Sequence, residues 1–485
     1  HQYQKEAIDD EFYRTGSSSN WNQDLWINGL SPFGDSVRIA NNVISGNRGI
    51  NVLLPYRDSA SASALAVIRS SYNTGYMFAD CRGAFLSSTE TTNLVATNLL
   101  GSYGAFASSS GWSLSGAATP SISGGKLVYS GSGAGFAQRA ENPAIITSGL
   151  QYTVKFTVSD YSSGTVQTRV GNSGYGPTVN ANGTYYHSVT AGSTPTETVL
   201  FYGNSFSGKV DDVEVYLQVQ DRRNTGVKGL HVYGTINRAP VATGAELVSY
   251  QPADSNSYAH HENLNDTGIN WSNPWYMMFW YDTYAKMGIE EFNTGGYNNT
   301  VLLVSADAAG IYLRSKSLSF INITSVRNQG WNQFAAVYNG KDKLKVYKNS
   351  LEVGEYGITY ANQNARITLF GNSYNNNGGS YENRNYSVTP NAKMALARVG
   401  IGAPSPDQLR KMWVDEKMLF NENAKCTIHG TSDAVTGLAF DDSHNILHVG
   451  TSAGRSEFSG LTRINNTTTA VTTAISASNG LVAEQ

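Results

Sequence analysis

Residues 330–353, GWNQFAAVYNGKDKLKVYKNSLEV, leave the chain few folds to choose from. Phe334, Ala336 and Tyr338 alternate with Ala335 and Val337, the two-residue period of a half-buried strand. Asn339-Gly340-Lys341-Asp342 then supplies residues that tolerate positive φ, so the chain reverses in a hairpin. Leu344 and Val346 face opposite to Lys343, Lys345 and Tyr347, and Asn349-Ser350 permits a second tight reversal into Leu351 and Val353. Three adjacent antiparallel strands with one apolar face form the middle of a β-sandwich sheet.

This stretch resembles the concanavalin A-like lectin/glucanase fold in its laminin G-like (LamG) form. The matching pieces are Trp331, Asn339-Gly340, Val346-Tyr347-Lys348-Asn349, and Met394 to Ile401 leading into a helix. Ser405 can cap that helix, Pro406 suits its first position and Gln408 completes a capping box. Leu409, Met412, Trp413 and Phe420 supply its apolar stripe. The family usually has Asn-Gly where this chain has Asn349-Ser350, a change the hairpin tolerates. The resemblance spans residues 226–412 and implies a fold. It does not choose between lectin, glycosidase and spacer, all of which the family contains.

Composition narrows the class of partner. The charged fraction is 15%, below the usual quarter, whereas Gly, Ser, Thr, Asn and Tyr abound, as in extracellular or virion β-proteins. A net charge of −3 provides no electrostatic footprint for nucleic acid, and a hydroxyl-rich partner suits the surface better. Cys81 and Cys426 make no disulfide framework and are expected as buried free thiols. No run reaches the ~18 apolar residues that span a bilayer, and no signal peptide is read at the start.

The 485 residues divide into several units. Residues 1–20 are expected as an assembly arm, helical over 2–15 with Tyr3, Ala7 and Phe12 on one face. Residues 21–93 read as a blade-like run of short strands. Residues 94–222 resemble a carbohydrate-binding-module jelly roll, marked by Trp112, by the alternation Tyr152, Val154, Phe156, Val158, and by a closing strand over 210–215. Trp112 is assigned to its core. Asp211-Asp212 reads as a turn leading into a strand, with one carboxylate accepting backbone N–H groups. Residues 223–422 form the LamG-like sandwich with its trailing helix. Residues 423–485 form a second blade-like segment, with strands expected at 435–440, 446–451, 454–458 and 469–475. The fold class is therefore all-β: two β-sandwich modules flanked by propeller-blade-like segments, with one short helix. This order of modules resembles structural tail proteins of tailed bacteriophages, in particular fibre, nozzle or adhesin components. That resemblance implies a virion protein facing the host.

Catalytic patterns are sparse. Retaining glycosidases need two carboxylates about 5.5 Å apart, and the nearest string, Glu290-Glu291, sends adjacent side chains to opposite faces of a strand. His260-His261-Glu262 lacks the i, i+4 helical spacing of a zinc site and reads as a solvated loop. No Gly-x-Ser-x-Gly elbow, Walker loop or Cys-x-x-Cys pair occurs. No cofactor is expected; calcium is the one ion suggested, by Asp433, Asp441 and Asp442 at a blade turn, where ordinary turn chemistry serves as well.

Aromatic and amide residues remain. Sugars stack C–H faces on rings while amides pair with hydroxyls. Trp271, Trp275, Tyr276, Trp280 and Tyr281 cluster in one span, where Trp280 is assigned to the core. Tyr374, Asn375, Asn376, Asn377, Tyr381 and Asn385 crowd a polar loop. The candidate glycan-binding residues are Tyr374, Asn375, Asn376, Tyr381, Asn385 and Trp271. The reading is a non-enzymatic phage tail adhesin that contacts host cell-surface polysaccharide and other tail proteins, working as a homo-oligomer because linked weak sites gain avidity. The alternatives are a glycan depolymerase with a carboxylate pair the sequence does not display, and an architectural spacer.

Overall fold

The computed structural model describes residues 25–27, 37–40, 43–46 and 80–485, apart from 141–144, 173, 193–194, 220–228, 262–263, 292–299, 316–317, 324–326, 363, 376–383, 432–434 and 442. Within them the protein is all-β, as expected. The helix expected over residues 2–15 and the strands expected at 49–54 and 64–68 lie outside the described residues.

Near the start, β1 (Leu25–Ile27), β2 (Val37–Ala40) and β3 (Val43–Gly46) make an antiparallel meander. β4 (Asp80–Phe85), expected within the 21–93 segment, and β5 (Leu94–Val95), expected to open the 94–222 module, pair with strands beyond residue 234.

The jelly roll follows as β6 (Trp112–Gly116), β7 (Ser121–Ser123), β8 (Lys126–Ser130), β9 (Ala134–Ala140), β10 (Gln151–Arg169), β11 (Gly183–Thr190) and β12 (Glu197–Leu217). β10 and β12 are long enough to run through both layers. Their halves Gln151–Ser159 and Lys209–Leu217 pair in a layer ordered β11-β10-β12-β8-β7. The other halves pair in a layer completed by β9 and β6. The corner between layers lies at register shifts on either side of Ser163, with Asp160 and Ser205 at φ 52 and 47 and Gly164 at +71. A Cβ on Gly164 would stand 2.1 Å from the Ser205 carbonyl oxygen, so glycine is what lets the two strands bend together. Tyr152, Val154, Phe156 and Val158 are buried as their alternation requires, and Trp112 joins the same core.

The sandwich comprises β13 (His231–Tyr233), β14 (Thr235–Pro240), β15 (Val248–Pro252), β16 (Tyr258–His261), β17 (Trp275–Asp282), β18 (Ala285–Glu291), β19 (Thr300–Asp307), β20 (Gly310–Ser315), β21 (Leu318–Ile323), β22 (Trp331–Tyr338), β23 (Lys343–Lys348), β24 (Leu351–Gly357), β25 (Ala365–Leu369), a hairpin β26 (Gly371–Asn375) and β27 (Arg384–Val388), and β28 (Lys393–Ile401). Among the described residues one sheet runs β13-β16-β25-β18-β19-β20-β21 and the other β24-β23-β22-β17-β28-β15-β14-β5, with β4 also on β28. One apolar core lies between them, including Leu344 and Val346 as expected. Since β4 and β5 pair into this sheet, the strands of the jelly roll fall, along the chain, between strands of the sandwich.

The sequence leads to one apolar face for β22 and β23; both faces of β22 are buried, and on the second face of β23 Tyr347 is buried while Lys343 stays exposed. Tyr276, Met278, Ala335, Val337 and Tyr347 pack under α1 (Pro406–Lys417) and the sheet after it. The helix begins as its capping box dictates: Ser405 Oγ accepts the Gln408 N–H at 3.3 Å and Gln408 Oε1 accepts the Ser405 N–H at 2.7 Å. The final sheet is an antiparallel meander of β29 (Val435–Asp441), β30 (Ile446–Thr451), β31 (Gly454–Ser459) and β32 (Thr462–Asn466), followed by the hairpin β33 (Ile475–Ser478) and β34 (Leu481–Glu484). The fourth strand thus falls earlier than the expected 469–475, because Gly460 at φ +58 reverses the chain directly after β31. Cys426 is buried, as expected.

Candidate functional site

The corner in β10 and β12 turns one face of the second jelly-roll layer away from the core. Val199 and Phe201 enter that core, so the alternation directs Leu200, Tyr202 and Asn204 to the other side. Register then aligns a row across four strands: Gln167, Tyr202, Phe136 and Ser115. The next row is Arg169, Leu200, Gln138 and Ser113. The Phe136 and Tyr202 rings stack with centroids 5.0 Å apart and planes at 27°. Tyr175, 42% exposed, extends the run, 5.6 Å from Tyr202, with the Arg169 guanidinium 5.4 Å from its own ring.

Local backbone explains how Tyr175 reaches this face. The Gly176 N–H donates to the Thr168 carbonyl at 2.7 Å, and the Gln167 amide donates to the Gly176 carbonyl at 3.4 Å. A Cβ on Gly176 would meet Thr168 Oγ1 at 2.9 Å and His187 Nδ1 at 3.0 Å. Glycine alone lets this segment lie against β10. The result is three rings in line, bordered by two amides, a guanidinium and the exposed hydroxyls of Ser113 and Ser115. Such a surface offers ring faces to the C–H side of a sugar and donors and acceptors to its hydroxyls.

The described residues among those singled out in the sequence lie elsewhere. Tyr374 and Asn375 close β26 and Asn385 lies in β27, where the register sets Tyr374 opposite Asn385. Asn376 and Tyr381 lie outside the described residues. Trp271 is corrected from candidate sugar contact to core: it is 1% exposed, edge-on to Trp275 at 5.3 Å, and its indole N–H donates to Asn265 Oδ1 at 3.1 Å. Trp280 is buried, as assigned.

His260 and His261 form no solvated loop either; they are buried in β16 because Tyr258-Ala259-His260-His261 pairs on both edges, with β13 and β25. Glu290 and Glu291 sit consecutively in β18, at register positions opposite Arg366 and Ala365. Asp211 accepts the Asp212 N–H at 2.8 Å and pairs with Lys126 at 3.6 Å, at an irregularity inside β12 rather than at a turn before it.

Asp441 is 1% exposed and satisfied by protein donors: the Ser443 hydroxyl at 2.6 Å, the Ser443 N–H at 3.1 Å and the Gly480 N–H at 2.5 Å, with His444 Nδ1 at 3.0 Å. These bonds, led by the Ser443 hydroxyl and opposed by burial, hold its carboxyl below the usual carboxylate range. Asp433 and Asp442 lie outside the described residues, and among the described residues no group of three or more His, Cys, Asp or Glu is placed to hold a metal.

A cleft of about 230 Å³ lies between α1 and the last sheet, floored by Phe440, Leu447 and Phe458. Its charged rim is already engaged: Lys411 pairs with Asp415, and Lys417 lies 4.4 Å over the Trp413 ring.

Sequence reasoning missed Phe136, Tyr202 and Tyr175. The available signal was the alternation through Thr198-Val199-Leu200-Phe201-Tyr202, together with Gly174-Tyr175-Gly176, a ring held between two flexible residues.

No family model matches the chain, and no curated protein matches it. Among solved structures it is similar to domain 4 of AbnA, a GH43 extracellular arabinanase from Geobacillus stearothermophilus, in complex with arabinotriose: 14% identity, 39% of this chain, 89% of that one, TM-score 0.27. It is also similar to a mutant Trypanosoma rangeli sialidase displaying trans-sialidase activity, at 9% identity over 42% of this chain and 32% of that one, TM-score 0.29. The receptor-binding domain of botulinum neurotoxin C/D mosaic serotype matches at 7% identity over 50% and 58%, TM-score 0.30. The chain spans about a third of the sialidase and less than two thirds of the toxin domain. At such scores these likenesses carry no argument about what the chain does.

Proposed function

We propose that this chain is a non-enzymatic tail adhesin of a bacteriophage, binding host surface polysaccharide through the outer face of the second jelly-roll layer. The observation that carries the binding reading is the line of rings Tyr175, Tyr202 and Phe136 at 5.6 and 5.0 Å spacing, beside Gln167, Gln138 and Arg169. Two of these rings stand on adjacent strands and the third on a segment hydrogen-bonded to β10, so the surface is preformed, which lowers the ordering cost of binding. The tail assignment rests on the order of modules, and the homo-oligomer on the need to multiply weak sites.

The test is incubation of the whole chain with purified surface polysaccharides, reading bound fraction and polymer length in the same sample. Binding with unchanged length is expected. Tyr175→Ala or Tyr202→Ala should each weaken it about tenfold, equivalent to ~1.4 kcal/mol. Undiminished binding by both variants, with loss on Tyr374→Ala, would move the site to the β26–β27 hairpin. Shortened polymer would make the chain a depolymerase, and absence of binding would leave an architectural spacer.

A further inference from the structure

The jelly roll meets the sandwich at a cluster of rings that contains two buried histidines. His231 and His260 are register partners in β13 and β16, 2% and 3% exposed, with ring centroids 5.6 Å apart. On the sandwich side Tyr233 lies 4.3 Å from His231 and 5.1 Å from His260, and Tyr258 stacks on Tyr233 at 4.5 Å. From the jelly roll, Tyr216 stands edge-on to His231 at 5.1 Å and Tyr186 at 6.3 Å. Nδ1 of each histidine is buried with no hydrogen-bond partner.

The charges facing this pair oppose a proton on either ring. Lys155 in β10 acts on His231; Arg366 in β25 and His261 in β16 act on His260, as does His231 itself. The nearby carboxylate, Glu214 in β12, is occupied by Lys155 at 3.4 Å and by the Tyr216 hydroxyl at 2.5 Å. Burial first, then these cations, hold His231 down to about 3 and His260 well below the ordinary histidine range. Across the junction Val219 and Leu230 exchange backbone N–H···O bonds at 2.8 Å, and the Gly229 N–H donates to the side-chain Oε1 of Gln218 at 2.8 Å.

We propose that mild acidification opens the junction between jelly roll and sandwich, because His231 and His260 can take up protons only when the two modules part. The sign follows from linkage. Both histidines are neutral in the closed state and titrate near pH 6.5 once exposed, so closure is at full strength above that pH and weakens as pH falls through it. Each histidine shifts the opening equilibrium by up to tenfold per pH unit, about sixteenfold between pH 6.5 and pH 5. A chain built this way changes the relative placement of its two sandwiches with the acidity of its surroundings while each core stays folded.

Hydrogen exchange on the full chain at pH 7 and pH 5, corrected for intrinsic rates, tests this. Amides of Val219, Gly229 and Leu230 should lose about thirtyfold or more in protection, while those of Phe334 to Tyr338 keep theirs. Retained junction protection at pH 5, or equal loss in both regions, overturns the proposal. The double variant His231→Phe, His260→Phe should stay closed at pH 5, and opening like the wild type would overturn it. Should that variant fail to fold, ring resonances of carbon-13-labelled histidine in the wild type decide. His231 and His260 must remain neutral for as long as the junction amides stay protected, and a titration near pH 6.5 in the closed state refutes the mechanism.

Discussion

Glu416 stands on the buried face of α1 with no exposed surface, between the Arg398 guanidinium and the Trp280 indole. Arg398 Nη2 donates to Glu416 Oε1, Trp280 Nε1 donates to Oε2 at 2.6 Å, and the Gln333 amide donates to Oε2 at 3.3 Å. A charge taken from water needs compensation on every side, and these three donors supply it. Glu416→Gln leaves the Arg398 charge buried without its counter-ion, and should cost about 3–5 kcal/mol of stability, read from the denaturant midpoint. The double change Glu416→Met, Arg398→Met should lose much less, since it removes both charges together. A double variant as unstable as the single one would show that packing, not ion pairing, holds the helix.

At the level of elements, the capping of α1 and the hairpins around β22 to β24 were legible because each depends on neighbours in sequence. Asn339 shows why: its Oδ1 accepts the N–H groups of Lys341, Asp342 and Lys343 at 2.9 to 3.0 Å, a turn written entirely in adjacent residues. Asn349 and Ser350 adopt φ 50 and 66, so the Asn-Ser pair makes the reversal expected of it. The last hairpin depends on a distant residue instead. Asp441 reaches from the β29–β30 turn to the Gly480 N–H in the β33–β34 turn. Its carboxyl is held below the ordinary carboxylate range, so its stabilising contribution is present above about pH 4 and is lost as pH falls below that. Acidification below pH 4, or Asp441→Asn at neutral pH, should therefore release β33 and β34 before the rest of the sheet, seen as faster amide exchange over 475–484. Uniform exchange across 435–484 would refute the clamp.

For the whole molecule, the insertion separates two cores. Among the described residues the jelly-roll core draws only on those between Leu99 and Val215, and the sandwich core on those on either side of that span. Residues 97–219 expressed alone should therefore unfold in one cooperative thermal transition, followed by circular dichroism. A sloping, non-cooperative melt would show that the sandwich is needed to hold the jelly roll. The same insertion was not legible in the sequence: β5 and β14 are adjacent in the sheet but separated by 139 residues between Val95 and Thr235, and no local pattern reports such a pairing. It also explains the candidate site. Tyr175, Tyr202 and Phe136 come from three places in the chain, and only the register of β9 with β12 and the descent of Gly176 onto β10 bring their rings into line.

What the sequence by itself determined is everything that rests on period and turn chemistry. That includes the all-β class, the strands at β10, β17, β22 and β23, the helix cap, and the assignment of Trp112 and Trp280 to cores. These follow from interactions across a few residues, where side-chain alternation and tolerated φ values leave little freedom. Tertiary structure alone decided which faces meet water. Trp271, His260 and His261 carry polar atoms and sit in segments that read as loops, yet sheet packing buries them. The Tyr202 ring belongs to a strand whose alternate residues fill a core, yet a bend in two long strands turns it outward. Burial depends on which surfaces collapse together, a property of the folded whole that no single stretch contains.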